Sequence, residues 1–258
     1  MTSVYRLYVL LCGYEIVPKT LSTRDRGRDF VLASPICAYV METAKGWVLF
    51  DTGVNSENLT DPARVYDRFT RHGWLAPPIV LPQHELLAQL GRIGLTPKDI
   101  SHVILSHTHC DHTGNIKHFR HAPIWIQRLE HEYAFGPHGN YAVFNDDFDF
   151  PDIDWRIVEG DWEFASGLTG ILTRGHMPGH QSLVVDLPGG SKILTADVGD
   201  LIENFRDEVL PGESCDDKSA LASIRRLKEV AATKQGELIL LHDPVEVQRI
   251  KLAPAFYA

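Results

Sequence analysis

The sequence predicts an α/β sandwich, in which two β-sheets pack against each other and helices cover their outer faces. Two observations support this fold class. Short apolar runs rich in β-forming residues fall into two batches along the chain, and helical patterns are interspersed between them. No linker, low-complexity tract or internal repeat divides the 258 residues, so we expect one domain spanning residues 1–258 with a sizeable core.

The first batch of predicted strands lies before the middle of the chain. These strands cover residues 5–11, 37–42, 47–50 and 102–105. The third ends abruptly at the turn sequence DTG, residues 51–53, and the fourth leads directly into the sequence HTHCDH, residues 107–112. Apolar side chains on one stripe predict a helix over 83–93, and Thr96 as N-cap with Pro97 after it predicts a short second helix.

The second batch of predicted strands occupies the rest of the chain. These strands cover residues 123–127, 155–159, 168–173, 183–186, 192–196 and 237–241. Apolar residues at helical spacing predict an amphipathic helix over 218–234, with Asp216 and Asp217 near its positive end, where the dipole favours them. The acidic and aromatic stretch 141–155 shows neither the helical nor the strand repeat of apolar residues. We therefore expect a long loop, which is either functional or merely solvated.

The composition argues against several kinds of partner. The formal net charge of −9 and the lack of a basic patch argue against nucleic acid, because a negative surface repels phosphate backbones. The N-terminal apolar run is too short to cross a bilayer and lacks the basic leader of an export signal, so no membrane association is expected. Scattered cysteines without a CxxC pair predict free thiols and a cytoplasmic location.

The HTHCDH sequence carries the strongest chemical signal in the chain. Imidazole nitrogen and carboxylate oxygen are the ligands of Zn²⁺ and similar cations. Because residues two apart point the same way in an extended segment, His107 and His109 can bind one ion together. Asp111 and His112 follow the bend and can reach a second ion. The alternative, surface histidines without a metal, is disfavoured by the density of the cluster.

Further candidate ligands each follow an apolar strand, as HTHCDH does. They are His176, Asp197 and His242. Sites assembled from strand ends hold their ligands rigidly. Taken singly, a histidine at a strand end is more often a hydrogen-bonded surface residue, so it is the joint order of these residues that makes them candidates.

This order resembles the metal-binding pattern of the metallo-β-lactamase superfamily: HTHCDH, a His within GHMPGH, an Asp after an apolar strand and a late strand-end His. The sequence VLFDTG, with Asp51 as its acidic residue, is similar to another signature of that superfamily. Within it the chain looks most like the N-acyl-homoserine lactonases, the quorum-quenching branch, as the sequences PICAYVMET, GHMPGHQSL and ASIRRLKEV indicate. The similarity extends from about Cys37 to His242.

The resemblance implies an αββα sandwich, the metallo-β-lactamase fold, with two mixed β-sheets flanked by helices. It implies a hydrolase that opens the lactone ring of an N-acyl-homoserine lactone with a hydroxide held between two divalent metal ions. Zn²⁺ is the expected metal, although a site of His and Asp ligands also accepts Mn, Co or Fe. The expected partner is a small-molecule lactone, and a homodimer is compatible with the resemblance.

The resemblance also implies a role for each candidate residue. The metal ligands would be His107, His109 and His176 on metal one, Asp111, His112 and His242 on metal two, and Asp197 bridging both. Asp51 and His180 would hydrogen-bond and orient the metal-binding imidazoles. Asp111, next to the leaving group, would be the general acid. Cys110 is expected to face away from the metals.

One position departs from the family pattern. In the lactonases a Tyr lies three positions after the bridging Asp and contacts the substrate carbonyl, whereas Asp200 stands there in this chain. An ionised carboxylate cannot donate that hydrogen bond. Either another donor replaces the Tyr, with Tyr14 and Tyr141 as candidates, or the substrate differs from an acyl-homoserine lactone.

Other functions fit the same ligand set. The nearest is hydrolysis of another lactone, of the γ-butyrolactone or pyridoxolactone type, followed by a thioesterase of the glyoxalase II type. The negative charge argues against a nuclease, and the bridging carboxylate argues against a β-lactamase. A di-iron oxidoreductase domain would share fold and ligands, but no flavin-binding segment follows. A catalytically silent binding module would lack at least one ligand, and none is missing.

Overall fold

Two mixed β-sheets form the centre of the computed structural model, which describes residues 2–137 and 140–258. The first has the order β1-β2-β3-β4-β5-β6, with β1 to β3 antiparallel and β3 to β6 parallel. Its strands are β1 (Val4–Pro18), β2 (Val31–Thr43), β3 (Gly46–Phe50), β4 (Ile100–Ile104), β5 (Ile124–Gln127) and β6 (Trp155–Val158).

The second sheet has the order β11-β10-β9-β8-β7, and β11 pairs in parallel with β10 while the other neighbours are antiparallel. Its strands are β7 (Trp162–Ala165), β8 (Leu168–Leu172), β9 (Gln181–Leu187), β10 (Gly190–Leu194) and β11 (Glu237–Ile239).

Alternation along β1 shows how the two sheets form a sandwich. Leu7 and Val9 belong to the core cluster that also contains Leu183 and Val185 of β9, so these side chains lie between the sheets. Because successive strand residues point to opposite faces, Leu10 lies in a second cluster on the outer face. Both faces of β1 are therefore buried, which explains its nearly continuous apolar sequence.

Helices cover the outer faces of both sheets. Leu86 and Leu90 of α3 pack in the outer cluster of the first sheet, and Ile224 and Leu227 of α7 pack against the second. Asp216 caps α7 by accepting hydrogen bonds from the backbone N–H groups of two residues in its first turn. The α-helices are α1 (Lys19–Ser22), α2 (Pro62–Arg68), α3 (Leu86–Arg92), α4 (Cys110–Thr113), α5 (Arg128–Ala134), α6 (Ile202–Asp207) and α7 (Asp217–Lys234).

Short 3-10 helices occur in the connections. They are Ser56–Leu59, Thr70–His72, Pro82–His84, Pro97–Asp99, Ile116–His118, Asn145–Asp147, Ala196–Val198 and Glu246–Gln248. Within the described part of the chain, we find no helix whose length and apolar character would let it span a membrane.

The predicted α/β sandwich is confirmed, and the differences concern bounds and short elements. The predicted helix over 83–93 is a 3-10 turn followed by α3, and the predicted strand over 237–241 ends at Ile239. Helices α1, α2, α4, α5 and α6 and strand β7 were not predicted, because each is short and shows little periodicity. The stretch 141–155 is irregular apart from one 3-10 turn and the first residue of β6, but it is not merely solvated, since Phe148 is fully buried.

Candidate metal centre

Four strand ends deliver polar side chains to one place. The segment containing His107 and His109 follows β4 and enters α4 at Cys110. His176 follows β8, Asp197 lies in the 3-10 turn after β10, and His242 follows β11. The structure brings together all seven residues that the sequence singled out as ligands. Their ligand atoms form two groups, each within 4.8 Å: His107, His109, His176 and Asp197 in group one, and Asp111, His112 and His242 in group two.

The Asp197 carboxylate lies between these two groups. Its Oδ2 is 3.6 Å from His107 Nε2 and 3.4 Å from His176 Nε2, both in group one. Its Oδ1 is 3.3 Å from His112 Nε2 and 3.5 Å from His242 Nε2, both in group two. One carboxylate thus offers a separate oxygen to each group, which is the arrangement that a bridging ligand requires.

Several polar atoms of these residues are buried without a hydrogen-bond partner among residues 2–137 and 140–258. They are His107 Nε2, His112 Nε2, His176 Nδ1 and Asp197 Oδ1. Unsatisfied buried polar atoms are rare in folded proteins, because each loses its hydrogen bonds to water. Burial and the neighbouring His112 lower the pKa of His107 well below its ordinary value, which favours its neutral form. At His112 the carboxylates of Asp111 and Asp197 outweigh burial and raise the pKa well above its ordinary value, so metal binding there would release a proton. The residues therefore fit a pair of divalent cations.

Hydrogen bonds from outside the two groups orient the group-two imidazoles. His112 Nδ1 donates to Asp51 Oδ2 over 2.8 Å, and His242 Nδ1 donates to the Pro35 carbonyl over 2.9 Å. Asp51 is itself fixed, because its Oδ1 accepts the Ser106 backbone N–H at 2.7 Å. Because Nδ1 of each ring is engaged in this hydrogen bond, Nε2 is the nitrogen that each ring directs towards the other ligand atoms.

Replacing Asp51 by Asn should weaken metal binding in group two without disturbing the backbone. Asp51 has a φ of 60°, in the left-handed region that Asn tolerates nearly as well as Asp. The amide lacks the negative charge that holds the His112 ring, so we expect metal affinity to fall about 10- to 100-fold. Competition with a chromophoric chelator measures this affinity. Unchanged affinity with an unchanged melting temperature would contradict the orienting role of Asp51.

His180 contacts the candidate bridging residue and not an imidazole nitrogen. Its Nε2 accepts the backbone N–H of Asp197 at 3.0 Å, and its Nδ1 lies 2.9 Å from Thr173 Oγ1. We expected His180 to orient an imidazole by a hydrogen bond. In the structure it instead holds the backbone of Asp197. This contact matters because Ala196, the preceding residue, has a φ of 45°, which is unfavourable for alanine.

Sequence reasoning missed Glu130, which joins two loops of the site. This buried carboxylate accepts hydrogen bonds from Thr108 N at 2.9 Å, Thr108 Oγ1 at 2.7 Å and Gly179 N at 3.0 Å. It thereby ties the HTHCDH segment to the GHMPGH segment. No sequence pattern around Glu130 indicates this role, because its partners are distant in the chain.

A methyl group at position 179 should destabilise the protein. A Cβ built on Gly179 would lie 2.2 Å from the backbone nitrogen of Glu130, so the loop that contains Gly179 would have to move away from α5. We expect Gly179→Ala to lower the free energy of unfolding by about 2 kcal/mol or more. The matched control is Gly91→Ala in α3, where a Cβ meets nothing within 4 Å and a helical Ala should stabilise by about 0.5 kcal/mol. Urea titration of both variants makes the comparison, and equal stability would contradict the close approach.

A cavity of about 280 Å³ opens onto both metal groups. Its polar wall includes Glu15, Asp200 and Glu213, and burial raises the pKa of Glu15 to about 8. Its apolar wall contains Ile16, Val17, Pro18, Leu21, Trp74, Leu75 and Pro211. Glu15 was not predicted, because a single acidic residue within an apolar strand carries no recognisable pattern.

The candidates for replacing the family Tyr have different locations. Tyr141 lines the cavity, but its hydroxyl donates to the Glu213 carboxylate at 2.7 Å. Tyr14 is not among the residues that line the cavity, and its ring packs edge-on against His84 at a centroid distance of 5.5 Å. Asp200 lines the cavity, and burial raises its pKa. Cys110 packs in an apolar cluster and is not among the converging ligands.

Comparison with known proteins agrees with this geometry. The family model described as the Metallo-beta-lactamase superfamily matches residues 33–240. An N-acyl homoserine lactonase from Bacillus thuringiensis is 33% identical over 255 residues, covering 98% of this chain and 99% of the relative. The N-acyl homoserine lactonase AttM from Azorhizobium caulinodans is 31% identical over 270 residues, and the alignment covers 100% of this chain and 100% of the relative.

Solved structures show the same relationship. One is an N-acyl homoserine lactone hydrolase with the product N-hexanoyl-L-homoserine bound at the catalytic metal center. It matches with a TM-score of 0.87 and 30% identity, over 100% of both chains. The two mixed sheets, the convergent His and Asp side chains and these full-length similarities lead to one conclusion. The chain belongs to the metallo-beta-lactamase superfamily and, within it, to the family of N-acyl homoserine lactonases.

Proposed function

We propose that this protein hydrolyses the lactone ring of N-acyl homoserine lactones with two divalent metal ions, Zn²⁺ being the expected metal. The observation that carries the proposal is the position of Asp197, with one carboxylate oxygen facing each group of ligands. The relatives named above act on this class of lactone and are similar over their full length. Free cysteines, three of them buried, support a reducing compartment, and a cytoplasmic location is part of the proposal.

His107, His109 and His176 would hold one metal ion, Asp111, His112 and His242 the other, and Asp197 both. When bound, the two ions would polarise the lactone carbonyl and lower the pKa of a water molecule from 15.7 to about 7, which provides a nucleophile at neutral pH. Hydrolysis breaks the bond between the acyl carbon and the ring oxygen, so that oxygen must gain a proton as it leaves.

Asp111 would deliver that proton. It lines the cavity, and its Oδ2 lies 3.1 Å from His112 Nε2 and 3.6 Å from His242 Nε2. Its other oxygen, Oδ1, would accept the proton that the attacking water gives up and would pass it to the ring oxygen. A positioned general acid contributes roughly 10²- to 10⁴-fold to the rate of such a step.

The cavity has room for both parts of such a substrate. The ring would lie beside the metal ligands, and the acyl chain would lie along the apolar wall formed by residues such as Val17, Trp74 and Leu75. Burying each methylene of the chain should contribute about 0.8 kcal/mol, so affinity should rise with chain length until the wall is covered.

Metal removal and replacement test this proposal. The protein treated with a chelator should lose ring-opening activity on N-hexanoyl homoserine lactone, and two equivalents of Zn²⁺ should restore it. A pH indicator follows the acid released, and mass spectrometry identifies the product by the addition of one water. Activity that survives complete metal removal would contradict the proposal. Turnover of thioesters or of simple γ-lactones alone would assign the protein to one of the other substrate classes.

A further inference from the structure

Glu213 places a negative charge at the solvent-exposed mouth of the cavity. It lies in the connection between α6 and α7, it is exposed, and it lines the cavity. Within the described part of the chain, no lysine or arginine lines this cavity. Arg24 reaches the neighbouring Ser214, but its guanidinium pairs with both oxygens of Asp217 at 2.6 and 2.8 Å. The Glu213 charge is therefore left uncompensated.

Tyr141 holds the Glu213 carboxylate in place. Its hydroxyl donates to both oxygens, at 2.8 and 2.7 Å, which suits an ionised carboxylate because that group only accepts. Burial and this hydrogen bond raise the pKa of Tyr141 above its ordinary value, so the phenol keeps its proton and remains a donor. Tyr141 also lines the cavity, is 42% exposed, and stacks on His72 at a centroid distance of 5.9 Å. The carboxylate is thus fixed at the mouth.

The arginines beside this ring stack are engaged with other partners. Arg71 forms an ion pair with Asp67, and its Nε donates to His72 Nε2 at 3.2 Å, so that His72 nitrogen is an acceptor and carries no proton. Arg68 forms an ion pair with Asp146. None of these groups brings a free positive charge to Glu213.

The other carboxyl groups of the cavity lie deeper and have different roles. Asp111 and Asp197 belong to the metal groups. Burial raises the pKa of Glu15 to about 8 and also raises the pKa of Asp200, which favours the uncharged form of each. Glu213 is therefore the carboxylate whose charge a molecule meets on entering or leaving.

Ring opening changes the charge of the molecule in the cavity. An N-acyl homoserine lactone is uncharged. Its hydrolysis adds one water, breaks the bond between the acyl carbon and the ring oxygen, and leaves a hydroxyl group and a carboxyl group, which loses its proton at neutral pH. The product is an anion, and like charges repel. At a water-exposed position this repulsion changes affinities by a few-fold and is screened by salt.

We propose that Glu213 sets the charge preference of the site, with Tyr141 as its positioning residue. The fixed carboxylate admits uncharged and cationic lactones, disfavours anionic ones and hinders the anionic product from binding again. This inference rests on the proposed function and deepens it, because it adds a preference of charge to the preference for a lactone ring.

The test uses three lactones that differ at the end of the acyl chain. They are N-hexanoyl, N-(6-aminohexanoyl) and N-(5-carboxypentanoyl) homoserine lactone, whose chain ends are neutral, cationic and anionic. Leu75 lines the apolar wall and is 58% exposed, so this wall continues to the mouth, where we expect the chain end. The apolar wall disfavours both charged ends, so the ratio of kcat/KM for the cationic lactone to that for the anionic one reports the sign of the local charge.

Glu213→Gln keeps an acceptor oxygen for Tyr141 and removes the charge. In the zinc-loaded protein at low ionic strength we expect it to lower this ratio at least about 5-fold, and to change kcat/KM for the neutral lactone less than about 2-fold. Sodium chloride at about 0.5 M should lower the ratio of the wild-type protein towards that of the variant. The inhibition constant of N-hexanoyl homoserine, the product, should fall about 2-fold or more in Glu213→Gln.

Two further variants separate a fixed charge at the mouth from net charge. Glu229→Gln changes an exposed carboxylate of α7 that does not line the cavity, so it alters the net charge equally and should leave the ratio unchanged. Tyr141→Phe keeps the net charge but releases Glu213 from its hydrogen bond, and it should lower the ratio. A wild-type ratio in Tyr141→Phe would overturn the positioning role of Tyr141.

The remaining results are distinct. A wild-type ratio in Glu213→Gln, or an equal fall in Glu229→Gln, would overturn this inference and leave the proposed function intact. A zinc-loaded wild-type protein that does not hydrolyse N-hexanoyl homoserine lactone would overturn the proposed function and this inference with it. A ratio that falls in Glu213→Gln and Tyr141→Phe alone would support the assignment.

Discussion

Replacing Asp197 by Asn is expected to lower kcat/KM by about 10³-fold or more, equivalent to about 4 kcal/mol of transition-state stabilisation. The carboxylate faces His107 and His176 through Oδ2 and His112 and His242 through Oδ1. An amide offers one good acceptor oxygen and no charge, so it can serve only one of the two groups. Metal content should therefore fall from about two ions per chain to one or fewer, as elemental analysis would show.

Asp147→Asn separates this effect from the general consequence of changing a buried carboxylate. Asp147 is also buried, and it accepts hydrogen bonds from Asn55 and Asn58 at 2.7 and 2.9 Å, outside both metal groups. This control should lose stability, because an amide then faces amide donors, but it should keep two metals per chain. Full metal content and near wild-type turnover in Asp197→Asn would contradict the bridging role.

Replacing Asp111 by Asn is expected to lower kcat by about 10²- to 10³-fold. The amide keeps the shape of the side chain and an oxygen for the group-two metal, but it cannot release a proton to the leaving ring oxygen. Kinetics on the protein loaded with two zinc ions measure the effect, since KM should change much less than kcat.

The control for this substitution is Asp216→Asn at the exposed N-cap of α7, where Asn caps as well as Asp. Its turnover should equal that of the wild-type protein. If fully metal-loaded Asp111→Asn turned over at the wild-type rate, Asp111 would have to be removed from the chemistry and retained only as a ligand.

The sequence was informative where local pattern and chemistry coincide. His107, His109, Asp111 and His112 lie within six positions after a strand, so their proximity follows from the chain itself. The other ligands were identified by a shared context, an apolar strand followed by a polar residue, and the structure brings them to the same place. The α/β sandwich followed from strands in two batches for a similar reason, since periodicity is a local property.

What the sequence did not show depends on contacts between distant residues. Glu130 binds Thr108 and Gly179, which are 22 and 49 positions away, and no local signal encodes those contacts. His180 was expected on an imidazole and hydrogen-bonds the Asp197 backbone instead, because the loop after β10 turns its N–H towards the ring. Tyr14 was a candidate hydrogen-bond donor only because it is a tyrosine. It is not among the residues that line the cavity, whereas its neighbour Glu15 is.

Anomalous diffraction from crystals of the zinc-loaded protein tests the central claim most directly. We expect two peaks about 3.5 to 4 Å apart, one on each side of the Asp197 carboxylate, the first among His107, His109 and His176 and the second among Asp111, His112 and His242. A single peak, or peaks away from Asp197, would contradict the claim that these side chains hold two metal ions together.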